Sequence, residues 1–236
     1  MQLLSTNPGK YPDRATLEEC HMVIQRVSPF DEEAIAAIGE FRLRVWQAEG
    51  QKINESLIND GKWNDRLDVE PTSQHWVVYI GGEIAASSRI SFHRDFTTVP
   101  DHNVFEPYVD NTGTLYCSLN RMVVHPRYRG LGIAGLLDFI RIKSAFRAGA
   151  DQLFAYAVGS PRAQSLMRRG FVEKEVNDSW SIYPDNDGPF HALVIDHFAM
   201  GRASQAKPES VEKLLSNGSS ILTVRNTGHI EISGEL

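Results

Sequence analysis

The sequence predicts an α/β fold of the α+β kind, a mixed sheet with helices packed against it. Three observations lead there. Two strand-like runs within 75–93 meet at Gly81-Gly82, which reads as a hairpin turn. From 114 onward the order becomes strand, helix, strand, helix, strand. Between the first strand and first helix of that series stands "PRYRGLGIA", residues 126–134. Hairpin strands ahead of strand–helix units give a mixed sheet and not a doubly wound dinucleotide fold.

Each element has its own signal. Residues 1–18 are polar and hold two prolines, so they read as an N-terminal arm. "HMVIQRV" at 21–27 reads as a short strand. In "SPFD", Ser28 is placed to cap a helix, with Pro29 at its first position and Asp31 three residues after the cap. Phe30, Ala34, Ile38, Phe41 and Val45 then recur at helical spacing. The polar stretch from Glu49 to Gln74 reads as loop or broken helix, long enough to suspect a functional surface. "TLYCSLNRMVVH" at 114–125 is the third strand, ended by Pro126. A helix with Ile133, Leu136, Leu137 and Ile140 on one face follows and ends near Gly149. "LFAYAV" at 153–158 is apolar throughout, as an inner strand should be. A short helix runs from about Pro161 to Arg169, and "FVEKEV" and "HALVIDHF" read as the last two strands. After Met200, "GRASQAKPES" reads as a linker, "VEKLL" as a short helix, and "ILTVR" with "HIEIS" as a hairpin. This 201–236 extension is too small for a core of its own and is expected to pack on the main domain or a second subunit.

Composition narrows the function classes. Of 236 residues 42% are hydrophobic, and 24 Lys and Arg face 30 Asp and Glu, which argues against a nucleic-acid surface. No stretch has the length and apolarity of a signal peptide or a membrane span, so no membrane association is expected. Cys20 and Cys117 form neither a disulfide framework nor a metal motif, which suits a reducing, cytoplasmic setting. The histidines, His75, His93, His191 and His197 among them, lack metal-ligand spacing.

The stretch at 126–134 is read in two ways on its residues alone. It is a plain strand-to-helix turn, or its unpaired backbone N–H groups bind an anion at a helix N-terminus. Glycines remove side chains that would keep a ligand away, and Arg127 and Arg129 can add charge-assisted contacts. The dinucleotide fingerprint fails because Gly135 follows Gly132 as G-I-A-G, and no Gly-Lys-Ser/Thr of a nucleotide-triphosphate loop is present.

The segment "RMVVHPRYRGLGIAGLLDFIRIKSAFRAGADQLFAYAVGSPRAQSLMRRGFVEK" resembles the GCN5-related N-acetyltransferase (GNAT) superfamily. The family signature Arg/Gln-x-x-Gly-x-Gly/Ala maps onto Arg127, Gly130 and Gly132, with Arg129 before the first glycine. The resemblance implies a GNAT-like acyl-CoA N-acyltransferase fold over 19–200, with helices on both faces of the sheet and a splayed central strand pair. It implies acetyl-CoA or another acyl-CoA as donor substrate. Met122, Val123 and Val124 would line the pantetheine arm, and Arg129, Gly130, Leu131, Gly132, Ile133 and Ala134 would hold the pyrophosphate. In "SPRAQSLMRRGF", Ser160 stands where the family often has asparagine, and Met167 replaces the tyrosine that often protonates the departing thiolate. A thioether has no proton to give. "FRLRVWQAEG" and "SLNRMVVHP" also resemble the branch of acyl-homoserine-lactone and N-acyl amino-acid synthases, with Arg42, Arg44, Trp46 and Arg121 as the matching residues. The strong glycine loop favours acyl-CoA over an acyl carrier protein.

The chemistry expected is transfer of an acetyl or other acyl group to the amine of a small molecule or amino-acid-like acceptor. Longer donors, as in N-acyl amino-acid synthases, and a non-catalytic CoA sensor are the alternatives, and a homodimer is left open. Strict alternation puts Cys117, Leu119, Arg121 and Val123 on one face of their strand and Tyr116, Ser118, Asn120, Met122 and Val124 on the other, unless a bulge shifts the register. Asn120 can orient a water that takes the amine proton. Arg121 either binds an acceptor carboxylate or pairs with an acidic residue of the protein. Tyr156 either supplies the proton that Met167 cannot or packs. Cys117 reads as core more than nucleophile, His125 as solvated or a cap, and Trp46 and Trp76 as core or acceptor-pocket walls. "DGKWNDRLDVE" at 60–70 either faces a cationic acceptor or is solvated.

Overall fold

A computed structural model describes residues 22–50, 55–110, 112–176, 190–206 and 223–226. The strands are β1 (Met22–Val27), β2 (Ile58–Asn59), β3 (Lys62–Trp63), β4 (Ser73–Ile80), β5 (Glu83–His93), β6 (Tyr116–Val124), β7 (Gln152–Val158), β8 (Val172–Lys174), β9 (Phe190–Asp196) and β10 (Thr223–Asn226). The helices are α1 (Glu32–Ala48), α2 (His102–Phe105), α3 (Ile133–Arg147), α4 (Ser160–Met167) and α5 (His197–Gln205). Eight strands form one mixed sheet in the order β10-β1-β4-β5-β6-β7-β9-β8, and β2 and β3 form a separate hairpin. The turn at Gly81 and Gly82 has φ of 60° and 84°, the left-handed pair that a tight hairpin demands.

Helices cover both faces, as expected. On one, α3, α4 and α5 bury Ile142, Leu166 and Met200 against Leu119, Leu153, Ala157 and Ile195 of the sheet, and Leu137 of α3 packs with Ile24 and Val78. On the other, α1 brings Ile35, Ile38 and Phe41 against Val27, Val77 and Val123, while α2 brings Phe105 against Phe154. The α1 start differs from the Ser28 cap expected. Asp31 is the cap, accepting the Ala34 N–H at 3.0 Å, and Ser28 instead shapes the turn before it. The buried stripe therefore begins at Ile35, and Phe30 is left 69% exposed.

Two further elements correct the sequence reading. The segment 49–74 holds the β2–β3 hairpin, turned at Asp60-Gly61, both with positive φ. The segment read as a linker from Gly201 is instead the second half of α5, running to Gln205. Gly201 lies there because a Cβ would stand 3.1 Å from the Phe146 ring of α3, so a small residue is what lets the two helices meet. The last two strands lie as β7-β9-β8, so β9 is interior and β8 is the edge. In the extension, 223–226 pairs parallel with β1; the expected partner strand at 229–233 and the helix at 211–215 lie outside the described residues, as does the arm at 1–18. Asp196 caps α5 by accepting the Ala199 N–H at 2.8 Å. Asp196→Ala is expected to cost about 1 kcal/mol of stability, read as a lower urea midpoint at unchanged slope.

Candidate active site

β6 and β7 are the parallel pair at the centre of the sheet, and they part. Their register runs from Tyr116 opposite Gln152 to Leu119 opposite Ala155 and stops there. β6 continues along β5 to Val124, and β7 continues along β9 to Val158. Each strand keeps its outer partner, so residues 120–124 and 156–158 form the walls of an open wedge.

A bulge sits on β6 at the mouth of that wedge. Ser87 pairs with Val123 and Arg89 with Asn120, so Arg121 and Met122 together face one β5 residue, and Arg121 has φ of 54°. The bulge rearranges the faces expected from alternation. Arg121 turns to the side of Ser118 and Asn120, where its guanidinium reaches Asp65 and lies 4.4 Å over Trp63. Met122 and Val124 turn to the α3 side with Leu119 and Cys117. Both faces of the wedge are thus set by one inserted residue.

On the α3 side the wedge opens into a cleft of about 1390 Å³. Met122, Val123, Val124, Arg129, Gly130, Gly132, Ile133 and Ala134 line it, together with Trp46, Glu49 and the arginines 162, 168, 169 and 202. Gly130 and Gly132 have φ of 80° and 82°, and Gly132 is the N-cap of α3 without a side-chain cap bond. The first hydrogen bond of α3 runs from Leu136 N–H to Gly132, so the N–H groups of Ile133, Ala134 and Gly135 have no partner within the helix. Arg129 donates to the Glu49 carboxylate at 2.7 Å and to the Val124 carbonyl at 3.1 Å, bridging α1 to the end of β6. Arg127 is held instead near Glu83 and Tyr128, Leu131 packs into the core beside α3, and Ser160 starts α4 exposed; none of these three is among the cleft-lining residues. His125 caps the turn as expected, its Nδ1 accepting the Arg127 N–H, and burial with Arg44 and Arg127 nearby keeps its pKa below the ordinary value.

The cleft wall is braced by one carboxylate. Asp138 of α3 is fully buried and accepts from Arg141 at 2.7 Å and from both Nη atoms of Arg162 at 2.5 and 2.8 Å, with Arg169 at 3.7 Å. Burial works against its charge, but Arg162, Arg141 and Arg169 outweigh burial and hold its pKa below the ordinary value.

The opposite face of the wedge carries a second charge network. Asp65 accepts from Arg89 at 2.6 and 3.0 Å and from Arg121 at 2.7 and 3.0 Å. Asp68 takes Arg42 and Arg89, each at 2.8 Å. In the 60–70 stretch Asp60, Gly61, Arg66 and Val69 are solvated, but it is not an open acidic patch, because its two central carboxylates are consumed by three arginines. Trp46 and Trp63 close this side with ring centroids 4.6 Å apart, whereas Trp76 is core.

Asn120 is set by a relay with a fixed direction. Its Nδ2 donates to Ser118 Oγ at 2.8 Å, and that hydroxyl then donates to His93 Nε2 at 2.8 Å. His93 Nδ1–H serves Thr98 Oγ1 at 3.0 Å, and Thr98 donates to the Asp95 carbonyl. Burial, with Arg89 and Arg66 nearby, depresses the His93 pKa to about 4, which keeps the ring neutral as this direction requires. Tyr156 extends from β7 just past the last β6 pair, and burial followed by the charge of Asp101 pushes its pKa upward. Cys117 is fully buried and burial raises its thiol pKa, which fits core packing and not a nucleophile. Met167 is 36% exposed at the end of α4.

A parted parallel pair leading to a glycine turn and an uncapped helix start defines the cleft of an acyltransferase. The chain belongs to the acetyltransferase (GNAT) family, whose model matches residues 35–171. Its fold is similar to that of FeeM, an N-acyl amino acid synthase from uncultured soil microbes, with 13% identity, 79% of this chain and 98% of that one covered, and a TM-score of 0.58. It is similar also to BjaI, a CoA-dependent acyl-homoserine lactone synthase, with 15% identity, 89% and 95% coverage and a TM-score of 0.59. A polyamine N-acetyltransferase from Drosophila melanogaster matches at 13% identity, 74% and 99% coverage and a TM-score of 0.50. At these identities the likeness is one of fold. A comparison with curated proteins gives no match. Among the described residues no helix is long and apolar enough to cross a membrane.

Proposed function

We propose that the protein transfers an acyl group, acetyl in the simplest case, from acyl-CoA to the amine of a small molecule by direct attack in a ternary complex. The observation that carries this reading is the glycine turn with the free donors of α3 standing at the end of the β6–β7 wedge. The pyrophosphate would lie on the N–H groups of residues 130–134, with Arg129 leaving Glu49 to join it. That half-exposed ion pair is worth little, so a dianionic ligand can displace it. Backbone groups of Met122, Val123 and Val124 would hold the pantetheine arm, as one added strand beside β6.

On the acceptor side, Asn120 Oδ1 is left to accept from the amine, because the relay uses its Nδ2. Arg121 is committed to Asp65, which favours shaping the pocket over gripping an acceptor carboxylate. Tyr156 keeps its proton and would act as a hydrogen-bond donor toward the reacting sulfur or oxygen. The residues also suit a cytoplasmic enzyme with a single acyltransferase unit over 19–200.

Calorimetric titration with acetyl-CoA tests the donor site. Gly130→Glu places a side chain in the space where the phosphates would lie, at a left-handed backbone, and adds a like charge. The affinity is expected to fall on the order of 100-fold, about 2.7 kcal/mol; nothing lies within reach of the new Cβ, so the cost to the fold is the backbone strain of about 1–2 kcal/mol. Release of CoA thiol over a panel of amines tests the transfer. A non-catalytic CoA sensor, which Met167 in place of tyrosine keeps in play, would bind and release no thiol.

A further inference from the structure

Asp101 is the odd carboxylate of this fold. It occupies the N-cap position of α2, where an aspartate ordinarily accepts a backbone N–H, as Asp31, Asp65 and Asp196 do in their helices. Yet it makes no cap bond, and its backbone is left-handed at φ 57°, which turns the side chain away from the helix. Aspartate enters that region more readily than most residues, so the backbone releases the side chain from the cap position at small cost.

Its direction follows from α2. Asp101 directly precedes α2, whose Phe105 ring packs on Tyr156 with centroids 4.8 Å apart. Tyr156 is the first β7 residue past the last β6 pair, so the start of α2 lies beside the acceptor side of the wedge. The groups that face it confirm the placement. His102 comes from its own helix, Arg121 from the β6 bulge and Tyr156 from β7. Arg121 itself is shared with Asp65 of the 64–68 segment.

We propose that Asp101 is the general base of the reaction, taking the proton from the attacking amine on the acceptor side of the wedge; this rests on the acyl-transfer reading above. The neutral amine, having lost its first proton to solvent, attacks the thioester carbonyl carbon. The N–C bond forms, the carbonyl π electrons move onto oxygen, and an ammonium proton passes to the Asp101 carboxylate, directly or through one water. When the carbonyl reforms, the C–S bond breaks and CoA leaves as thiolate. The proton on Asp101 then reaches the thiolate through water, which yields CoA thiol and restores the carboxylate. Burial, against the pull of His102 and Arg121, raises the Asp101 pKa to about 6. Its acid form is therefore stronger than a thiol of ordinary pKa near about 8.5, and the return of the proton is downhill. The base thus also supplies the proton that Met167 cannot.

The test uses Asp101→Asn, because asparagine keeps both the volume and the left-handed backbone. Acetyl-CoA titration and thiol release are measured on both proteins with the best acceptor of a panel of polyamines, amino acids and amino-acid lactones. Expected are an unchanged acetyl-CoA affinity, a kcat at least about 100-fold lower, and an acid limb near pH 6 in the kcat profile of the wild type that is lost in the variant. Asp101→Glu should recover part of the rate and the limb. A variant kcat within about threefold of wild type, or a slowed variant that keeps the limb, would overturn the assignment. Wild-type protein that binds acetyl-CoA and releases thiol with no amine would overturn the acyl-transfer reading, and the base with it.

Discussion

Asp138→Ala is expected to destabilise the protein by about 3–5 kcal/mol, a third or more of the stability of an ordinary domain. The carboxylate is fully buried on α3 with Arg141, Arg162 and Arg169 around it. Its removal strands Arg141, which is also fully buried and cannot reach water. Arg141 has other tasks: it donates to the Leu137 carbonyl at 3.2 Å and to the Arg89 carbonyl at 3.0 Å, and so ties α3 to β5 beside the bulge. An uncompensated charge there opposes the packing that opens the wedge. Arg162 and Arg169 have an escape, since both line the cleft and can swing toward its solvent. The damage should accordingly appear twice, as a lower urea midpoint and as a weaker acetyl-CoA titration. Asp138→Asn keeps the shape and part of the hydrogen bonding, and should fall between the two. A midpoint for Asp138→Ala within the error of wild type would show that the three arginines are stabilised by something else.

The contrast between Asp138 and the glycine turn explains what the sequence makes legible. Periodicity is local, so β4, β5, β7, α3 and α4 are read nearly to the residue, and the Gly81-Gly82 turn states its own backbone requirement. The turn at Asp60-Gly61 is an equally strong hairpin signal between short runs, and it was open to the same reasoning. The phosphate turn is legible because residues 126–134 carry its whole geometry within one segment. The acceptor side is assembled differently. Asp65 meets Arg121 across 56 positions and Arg89 across 24, and nothing in spacing announces such pairs. The side to which Arg121 points depends on one inserted residue at a bulge, which alternation alone assigns to the wrong face. Asp101 falls in a stretch with no periodic pattern, and its left-handed backbone is a tertiary fact. The end of α5 was hidden for another reason: Gly201, Ala203 and Ser204 look like linker residues, yet their smallness is what close packing on α3 requires.

Acidification should destabilise the protein between pH 6.5 and 4, where two buried histidines outweigh one carboxyl, Asp101, whose pKa, raised to about 6, works in the opposite direction. His75 is buried beside Arg42, Asp68 and Arg89; burial first, then Arg42, lowers its pKa from 6.5 to about 4. Its Nε2–H donates to the Asp68 carbonyl at 2.9 Å, so the bare Nδ1 would have to take the proton in a pocket already rich in guanidinium. His93 is lowered likewise from 6.5 to about 4. The sign follows from which state binds the proton. In this window the unfolded chain protonates both rings while the folded protein does not, so stability is complete above the unfolded pKa and falls as pH falls. A lowering from 6.5 to about 4 corresponds to about 3 kcal/mol for each ring. Below about pH 4, Asp65 and Asp68 add to the loss, since both carboxyls are held below their ordinary range and must be protonated on unfolding. The two histidines are separable. His75→Gln can keep a donor to the Asp68 carbonyl, and should remove roughly half of the histidine contribution to the slope of urea midpoint against pH. His93→Gln should flatten the other half, and it should also slow thiol release at neutral pH, because the relay that orients Asn120 needs an acceptor at that position for the Ser118 hydroxyl. A midpoint that stays level from pH 7 to 4.5 in the Asp101→Asn protein, where the opposing carboxyl is gone, would mean that neither ring is held neutral by burial, and the direction assigned to the Asn120 relay would fall with it.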